Sequence, residues 1–207
     1  MNQSIVINRE YGSGGREIGK LVAEKLHMPL FDSNILTEVV EKKGFRHDIL
    51  ETFDEKIVGS VLYNLSLLNF MDQESINQPY EMYSAIADTM VDSARKEPCI
   101  FIGRCADKIL QDANIPCLNV FIYSNDFEAK KKRAKEVDGI EPIKVENYIH
   151  KKDKARREYQ HFFAHTKFGD YKAYDLCLNS GVFGYELCSE LIIHAMKEKD
   201  NRIKTNK

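Results

Sequence analysis

Hydrophobic positions along the chain fall into short runs that stop at glycine or polar residues, with amphipathic stretches between them. The first run, Ser4-Ile5-Val6-Ile7-Asn8-Arg9, leads into Glu10-Tyr11-Gly12-Ser13-Gly14-Gly15-Arg16-Glu17-Ile18. Further apolar runs cover residues 29–31, 99–102, 118–123 and 176–178, ending at Asp32, Gly103-Arg104, Ser124 and Asn179-Ser180. Mostly apolar strands predict a sheet covered on both faces, and the helical patterns between them predict parallel pairing. The fold class expected from the pattern is therefore α/β.

The helical expectations follow from apolar spacing. Ile18, Leu21, Val22 and Leu26 make one stripe after the glycine-rich turn. Residues 33–43 form a second helical region broken by Gly44, and residues 61–71 an apolar segment that is a buried or interfacial helix or a homodimer surface. Residues 73–78 read as a polar loop, and residues 79–96 as a helix with Met82, Ile86, Ala87 and Met90 at helical spacing. A basic helix over 126–137 is followed by a turn at 138–142, with Pro142 suited to a helix start. A charged helix over 143–165, an amphipathic one over 185–196 and a frayed polar tail over 197–207 complete the expectation.

A strand, a glycine-rich loop and a helix N-terminus in sequence make an anion site, because glycines let amides turn inward and the helix end carries partial positive charge. Phosphate is the expected guest. Against the pattern G-x-x-x-x-G-K-[ST], Arg16 stands for the lysine and Glu17 for the hydroxyl. An arginine can grip phosphate oxygens in pairs. Glu17 would be repelled by a phosphate, so it points away, pairs with Arg16 or Lys20, or binds a metal; an acid there also suits the helix dipole. A dinucleotide reading stays open through Gly12-x-Gly14-x-x-Glu17 with Asp32 at the end of the second strand, although the third glycine is missing.

Composition narrows the class. At 207 residues with 43% hydrophobic content, the chain is long enough for one domain with a core. A net charge of −2 gives no case for nucleic-acid binding. The expectations are no membrane span, no secretory signal and a cytoplasmic location, since five scattered cysteines without a C-x-x-C pair read as reduced thiols. Cys105 beside Arg104 is either a reactive thiol or a small buried residue. His161 and His165 could share a metal at i,i+4, but no third ligand is evident and no metal ligand set is assigned. Asp175 reads as structural, and Tyr159, Phe162, Phe163 and Phe168 as packing.

The order of motifs says more than any one of them. Phe31-Asp32-Ser33-Asn34, Gly103-Arg104-Cys105, the basic helix with Arg133, and Asp153-Lys154-Ala155-Arg156 follow the loop in turn. In these the chain resembles the cytidylate kinase-like branch of the P-loop nucleoside monophosphate kinases, over residues 4–196. The segments are similar to that family's L-D-S/T-G, G-R-D and lid D-x-x-R motifs. The chain departs in Arg16 and Glu17, in Cys105, and in Thr37 and Glu38 where an arginine is expected, as a divergent branch with its own E-Y-G-S-G-G-R-E loop.

The resemblance implies a three-layer P-loop kinase fold with a central parallel sheet. The expected core is 1–32, 97–140 and 172–197, with a helical acceptor-binding insertion at 33–96 and a lid at 141–171. It implies ATP-dependent phosphoryl transfer to a nucleoside monophosphate or related small molecule, with ATP and Mg²⁺ as cofactors. The other reading is a regulatory nucleotide-binding protein without turnover. Catalytic candidates are Arg16, Lys152 and Arg156. Donor-phosphate candidates are Gly12, Ser13, Gly14, Gly15, Arg16, Glu17 and Arg133. Acceptor candidates are Asp32, Ser33, Arg104, Asp153 and Arg157.

Overall fold

In the computed structural model, residues 3–35 and 73–205 are described. Strand β1 (Ser4–Arg9) is central, with β3 (Ile100–Ile102) on one side and β4 (Cys117–Tyr123) on the other. Outside these lie β2 (Leu30–Phe31) and β5 (Leu176–Asn179), giving the order β2-β3-β1-β4-β5 with every pair parallel. Side-chain alternation splits β1 between two cores. Ile5 and Ile7 pack with Ile18 and Val22 of α1 (Gly15–Leu26) and with Cys188, Ile192 and Met196 of α6 (Ser180–Thr205). Val6 faces the opposite layer, where α2 (Gln73–Lys96) brings Met82, Ile86 and Met90, α3 (Ala106–Asp112) brings Leu110, and α5 (Val145–Ala164) brings Tyr159. Both faces are thus covered, as the unbroken apolar strands require.

Helix α4 (Phe127–Asp138) is capped by Asp126, whose side chain accepts from Ala129 N, and ends at Gly139 in the left-handed region. Pro142 opens a short 3₁₀ turn (Pro142–Lys144) before α5. Phe163 of α5 stacks on Tyr83 at 4.4 Å, and Phe168 meets Phe121 edge-on at 5.2 Å, so these aromatics pack. The region expected to be helical over 33–43 is described only for 33–35, and the apolar run 61–71 lies outside the described residues.

Three expectations are corrected. Residues 73–78 are helical, because α2 begins at Gln73 and runs through Pro79. Polar residues such as Gln and Glu are good helix formers, so polarity alone did not mark a loop. The tail is also helical, to Thr205, and α6 starts earlier than expected, at Ser180, with a non-helical kink at Gly184. Lys199 donates to Cys117 O at 2.8 Å and to Asp175 at 2.7 Å, and buried Asp200 accepts from Gln3 Nε2 at 2.9 Å. These bonds tie the last turns to the amino ends of β1, β4 and β5. Asp175 also accepts from Asn119 N at 2.8 Å, the structural role expected of it.

Candidate active site

All five strands point the same way, so their carboxyl ends place residues from distant parts of the chain side by side. The loop after β1 is shaped by Gly12 and Gly14, both at φ +74°. A Cβ on Gly14 would lie 2.2 Å from Tyr185 Cζ, and one on Gly15 2.6 Å from Arg9 Cβ. Gly14 is the N-cap of α1, and no side chain caps that end. The first amides of a helix have no intrahelical partner, so the helix end is available to an anion.

A cavity of about 340 Å³ opens over this loop. It is lined by Gly12, Gly14, Gly15, Arg16 and Glu17 of the loop, by Ser33, by Arg133 of α4, and by Lys152 and Arg156 of α5. Arg9, the last residue of β1, also lines it, which the sequence reading missed; its position at the strand end was the available signal. Five cationic side chains thus face three carboxylates, Glu10, Glu17 and Asp138. The volume lies within the range of small-molecule sites, and the charge balance suits a phosphorylated guest.

The acids are all held. Glu10 receives Lys130 Nζ at 2.5 Å, although Lys130 is buried in what reads as a simple basic helix. Glu17 pairs with Arg133 Nη2 at 2.5 Å, a partner the sequence did not suggest. Burial works against the Arg133 charge, but Glu17 and then Tyr185 hold its pKa above the ordinary value. The hydroxyl of Tyr11 bonds to Asp138; burial first, and that bond second, raise the phenol well above its usual range. No described group of three His, Cys, Asp or Glu side chains comes together as a metal set. With its carboxylates committed to these partners, the cavity presents no ready protein ligand set for Mg²⁺ among the described residues.

Arg16 reaches back to Asp32, with Nη2–Oδ2 at 2.6 Å and Nε–Oδ2 at 2.7 Å. The other Asp32 oxygen accepts from Asn34 N and Ile35 N at 3.0 and 3.1 Å, capping the turn that follows β2. Asp32 thus ties the phosphate loop to the start of the inserted region. Helix α5 grips the loop directly. Asp153 accepts from Tyr11 N at 2.6 Å, and Arg156 Nη1 donates to Arg9 O at 3.0 Å. Asp153 and Arg156 are 3.8 Å apart.

Burial raises the Asp153 pKa above the ordinary carboxylate value, against the lowering effects of the Tyr11 amide and Arg156. An acid with a raised folded-state pKa favours folding below its unfolded pKa and loses that contribution as pH rises through the folded one. Asp153→Asn keeps an oxygen for the Tyr11 amide and removes the charge. The wild type should therefore lose stability relative to this variant as pH climbs from about 4 toward neutrality. Paired melting curves across that range check it; a constant difference would show that burial does not perturb the carboxyl.

The other candidates sit nearby or elsewhere. Ser13 is buried, bonding Glu10 O through Oγ at 2.8 Å, and its carbonyl accepts from Ser180 Oγ at 2.6 Å. Arg104 lies beside the main cavity in a smaller one, its guanidinium 5.4 Å from the Tyr159 ring centroid. Gly103, Arg104 and Cys105 all have positive φ, at +72°, +57° and +57°. Such conformations cost non-glycine residues on the order of 1–3 kcal/mol and concentrate at functional sites. Arg157 is exposed and lines neither cavity. Cys105 is fully buried, its Sγ 3.6 Å from Gln160 Oε1. Burial pushes the Cys99 and Cys117 thiols up to about 11, consistent with free, protonated cysteines.

The model of the cytidylate kinase-like family matches residues 4–182. The chain belongs to the cytidylate kinase-like family. Within this family setting, the chain is 24% identical over 203 residues to the cytidylate kinase of Archaeoglobus fulgidus, covering 96% of this chain and 97% of that enzyme. It superposes with a TM-score of 0.71 and 25% identity on an uncharacterized protein from Eubacterium ventriosum, over 94% of this chain and 98% of the other. A gluconokinase from Sinorhizobium meliloti shares the fold at a TM-score of 0.59 and 11% identity, over 100% and 98% of the two chains. The fold of this cytidylate kinase-like protein is that of the P-loop kinases. Among the described residues no helix is long and apolar enough to cross a membrane.

Proposed function

We propose that this family member transfers the γ-phosphoryl group of ATP to a nucleoside monophosphate, with a cytidylate-like acceptor as the first candidate. The observation that carries the reading is the meeting of Arg16, Arg133, Lys152 and Arg156, from three separate elements, over one glycine loop. Phosphoryl transfer needs little covalent help from a protein; it needs positive charge and in-line positioning. The loop amides and Arg133 hold the donor phosphates. Arg16, Lys152 and Arg156 surround the transferring group. Ser33 and Arg104 stand on the acceptor side, and Asp32 orients Arg16. An acceptor oxygen bonds to the γ-phosphorus as the bond from that phosphorus to the β–γ bridging oxygen breaks, and ADP leaves. Mg²⁺, when bound with the nucleotide, supplies further charge neutralisation on the phosphates.

Thermal melting with ATP and Mg²⁺, with CMP, and with both, followed by an assay for ADP, tests the reading. A ligand at 100 times its Kd adds about 2.7 kcal/mol of native-state stability. Stabilisation by both, with ADP formed only when CMP is present, is the expected result. Arg16 is half-exposed and already shared with Asp32, so Arg16→Ala should lower turnover by roughly 10- to 100-fold, less than a fully committed donor. Stabilisation by ATP without ADP under any acceptor would favour the regulatory reading, which the engagement of Glu17 with Arg133 keeps in view.

A further inference from the structure

A phosphate site should not carry an acid, yet Glu10 is a wall of the larger cavity together with Gly12, Gly14 and Gly15. A carboxylate there repels a bound phosphate, the more so where water is scarce. The loop nevertheless depends on this residue. Glu10 N donates to Ile122 O at 2.9 Å, which carries the pairing of β1 with β4 one residue past the strand. Its carbonyl accepts from Ser13 Oγ at 2.8 Å and closes the turn. Its carboxylate Oε2 accepts from Ser124 N at 3.3 Å, just past the end of β4.

Lys130 of α4 answers the Glu10 charge. It is only 6% exposed, and its Nζ stands 2.5 Å from Glu10 Oε2. Lysine is almost never buried so deeply unless it is paired. Its stem serves the loop as well. A Cβ on Gly12 would lie 3.0 Å from both Cβ and Cγ of Lys130, so the loop, at φ +74° there, rests on that stem. Lys130 is not among the walls of the cavity, unlike Arg133, the partner of Glu17. The charged neighbours on α5, Asp153 and Arg156, pair with each other at 3.8 Å. Removing the Lys130 charge therefore leaves one carboxylate over, at the loop. A buried ion pair is a poor source of stability, since an apolar pair of similar volume often does as well or better. What the pair does to the cavity explains it better.

We infer that Lys130 is a positioning residue for the phosphate site: from outside the cavity it cancels the Glu10 charge and props Gly12, so that Glu10 shapes the loop without repelling the guest. The inference rests on the reading above that phosphates occupy this cavity. A residue that acts through charge leaves a signature that a merely structural one does not. Its loss grows with the number of phosphates on the ligand.

The test measures Kd by titration calorimetry at fixed salt for adenosine, ADP, ATP and inorganic tripolyphosphate. Lys130→Met keeps an unbranched stem and removes the cation. Glu10→Gln keeps an acceptor oxygen for Ser124 N and removes the anion. The double variant removes both. Lys130→Met should weaken ATP and tripolyphosphate about tenfold or more, ADP less, and adenosine not at all. Glu10→Gln should tighten ATP, and the double variant should return to within about threefold of the wild type, the non-additivity expected of a coupled pair. In turnover Lys130→Met should raise the KM for ATP far more than it lowers kcat. An unchanged Kd for ATP in Lys130→Met, the same factor of loss for ADP and ATP, or a double variant as weak as the single one overturns the inference. Should Lys130→Met fail to fold, as its melting curve would show, Glu10→Gln decides: tighter ATP supports the inference, and unchanged or weaker ATP overturns it. A wild type that binds ATP without forming ADP under any acceptor sinks the kinase reading and leaves these binding comparisons in force. A wild type that binds neither ATP nor tripolyphosphate overturns both.

Discussion

Replacing Arg156 by alanine should lower phosphoryl transfer by about 10²- to 10³-fold, the usual loss when one oriented donor to a developing charge is removed. Arg156 differs from Arg16 in how it is held. Its side chain is only 12% exposed, against 46% for Arg16, and it bonds Arg9 O while standing 3.8 Å from Asp153. Its removal takes a charge from the cavity, frees the strand end from α5, and leaves the buried Asp153 carboxylate without its cation. The loss should therefore appear in kcat as well as in KM for ATP. Arg156→Lys restores charge without the planar fork and should recover only part of the rate. Steady-state rates at saturating ATP and acceptor, with melting curves to confirm folding, decide it. A variant with unchanged kcat would remove Arg156 from the transfer step and leave it as a structural clamp on the loop.

The second large effect is expected at Gly14. Alanine there meets two separate penalties. A left-handed backbone at φ +74° costs an L-residue roughly 1–2 kcal/mol. The added Cβ would also stand 2.2 Å from the Tyr185 ring, so the ring or the loop must move. Gly139 separates the two, because it has φ +64° and nothing within 4 Å of an added Cβ. Gly139→Ala should show the backbone cost alone. Gly14→Ala should lose more, and a chain of this size drops about 2–4 °C in Tm for each kcal/mol. Tyr185→Ala in the Gly14→Ala background should return the steric part and leave the conformational part, which a double-mutant cycle reads as coupling. Because the ring rests on the loop proposed to cradle phosphate, the ATP-induced rise in Tm should shrink in Gly14→Ala and remain in Gly139→Ala. Additive effects of the Gly14 and Tyr185 changes would show that the two do not touch in solution.

Much of this architecture follows from local pattern. Apolar runs such as Ile5-Val6-Ile7 and Ile100-Phe101-Ile102 are buried on both faces as strands between helical layers, and Gly12-Ser13-Gly14 turns the chain into α1. Helix spacing likewise put Lys152 and Arg156 on one face, and both line the cavity. The polarity of residues 73–78 and 197–207 misled, since a polar segment folds as helix when its own propensity or a distant partner supports it. Lys199 finds Asp175 and Cys117 only because β4 and β5 are already side by side.

The partners of charged groups were a tertiary matter throughout. Nothing in the order of residues joins Glu17 to Arg133, Glu10 to Lys130 or the Tyr11 amide to Asp153, separations of more than a hundred positions. A sequence fixes which side chains carry charge and how they recur along a helix or strand, because those depend on neighbours a few residues away. Which cation neutralises which acid depends on how strands far apart in the chain are laid edge to edge, and only the folded sheet decides that.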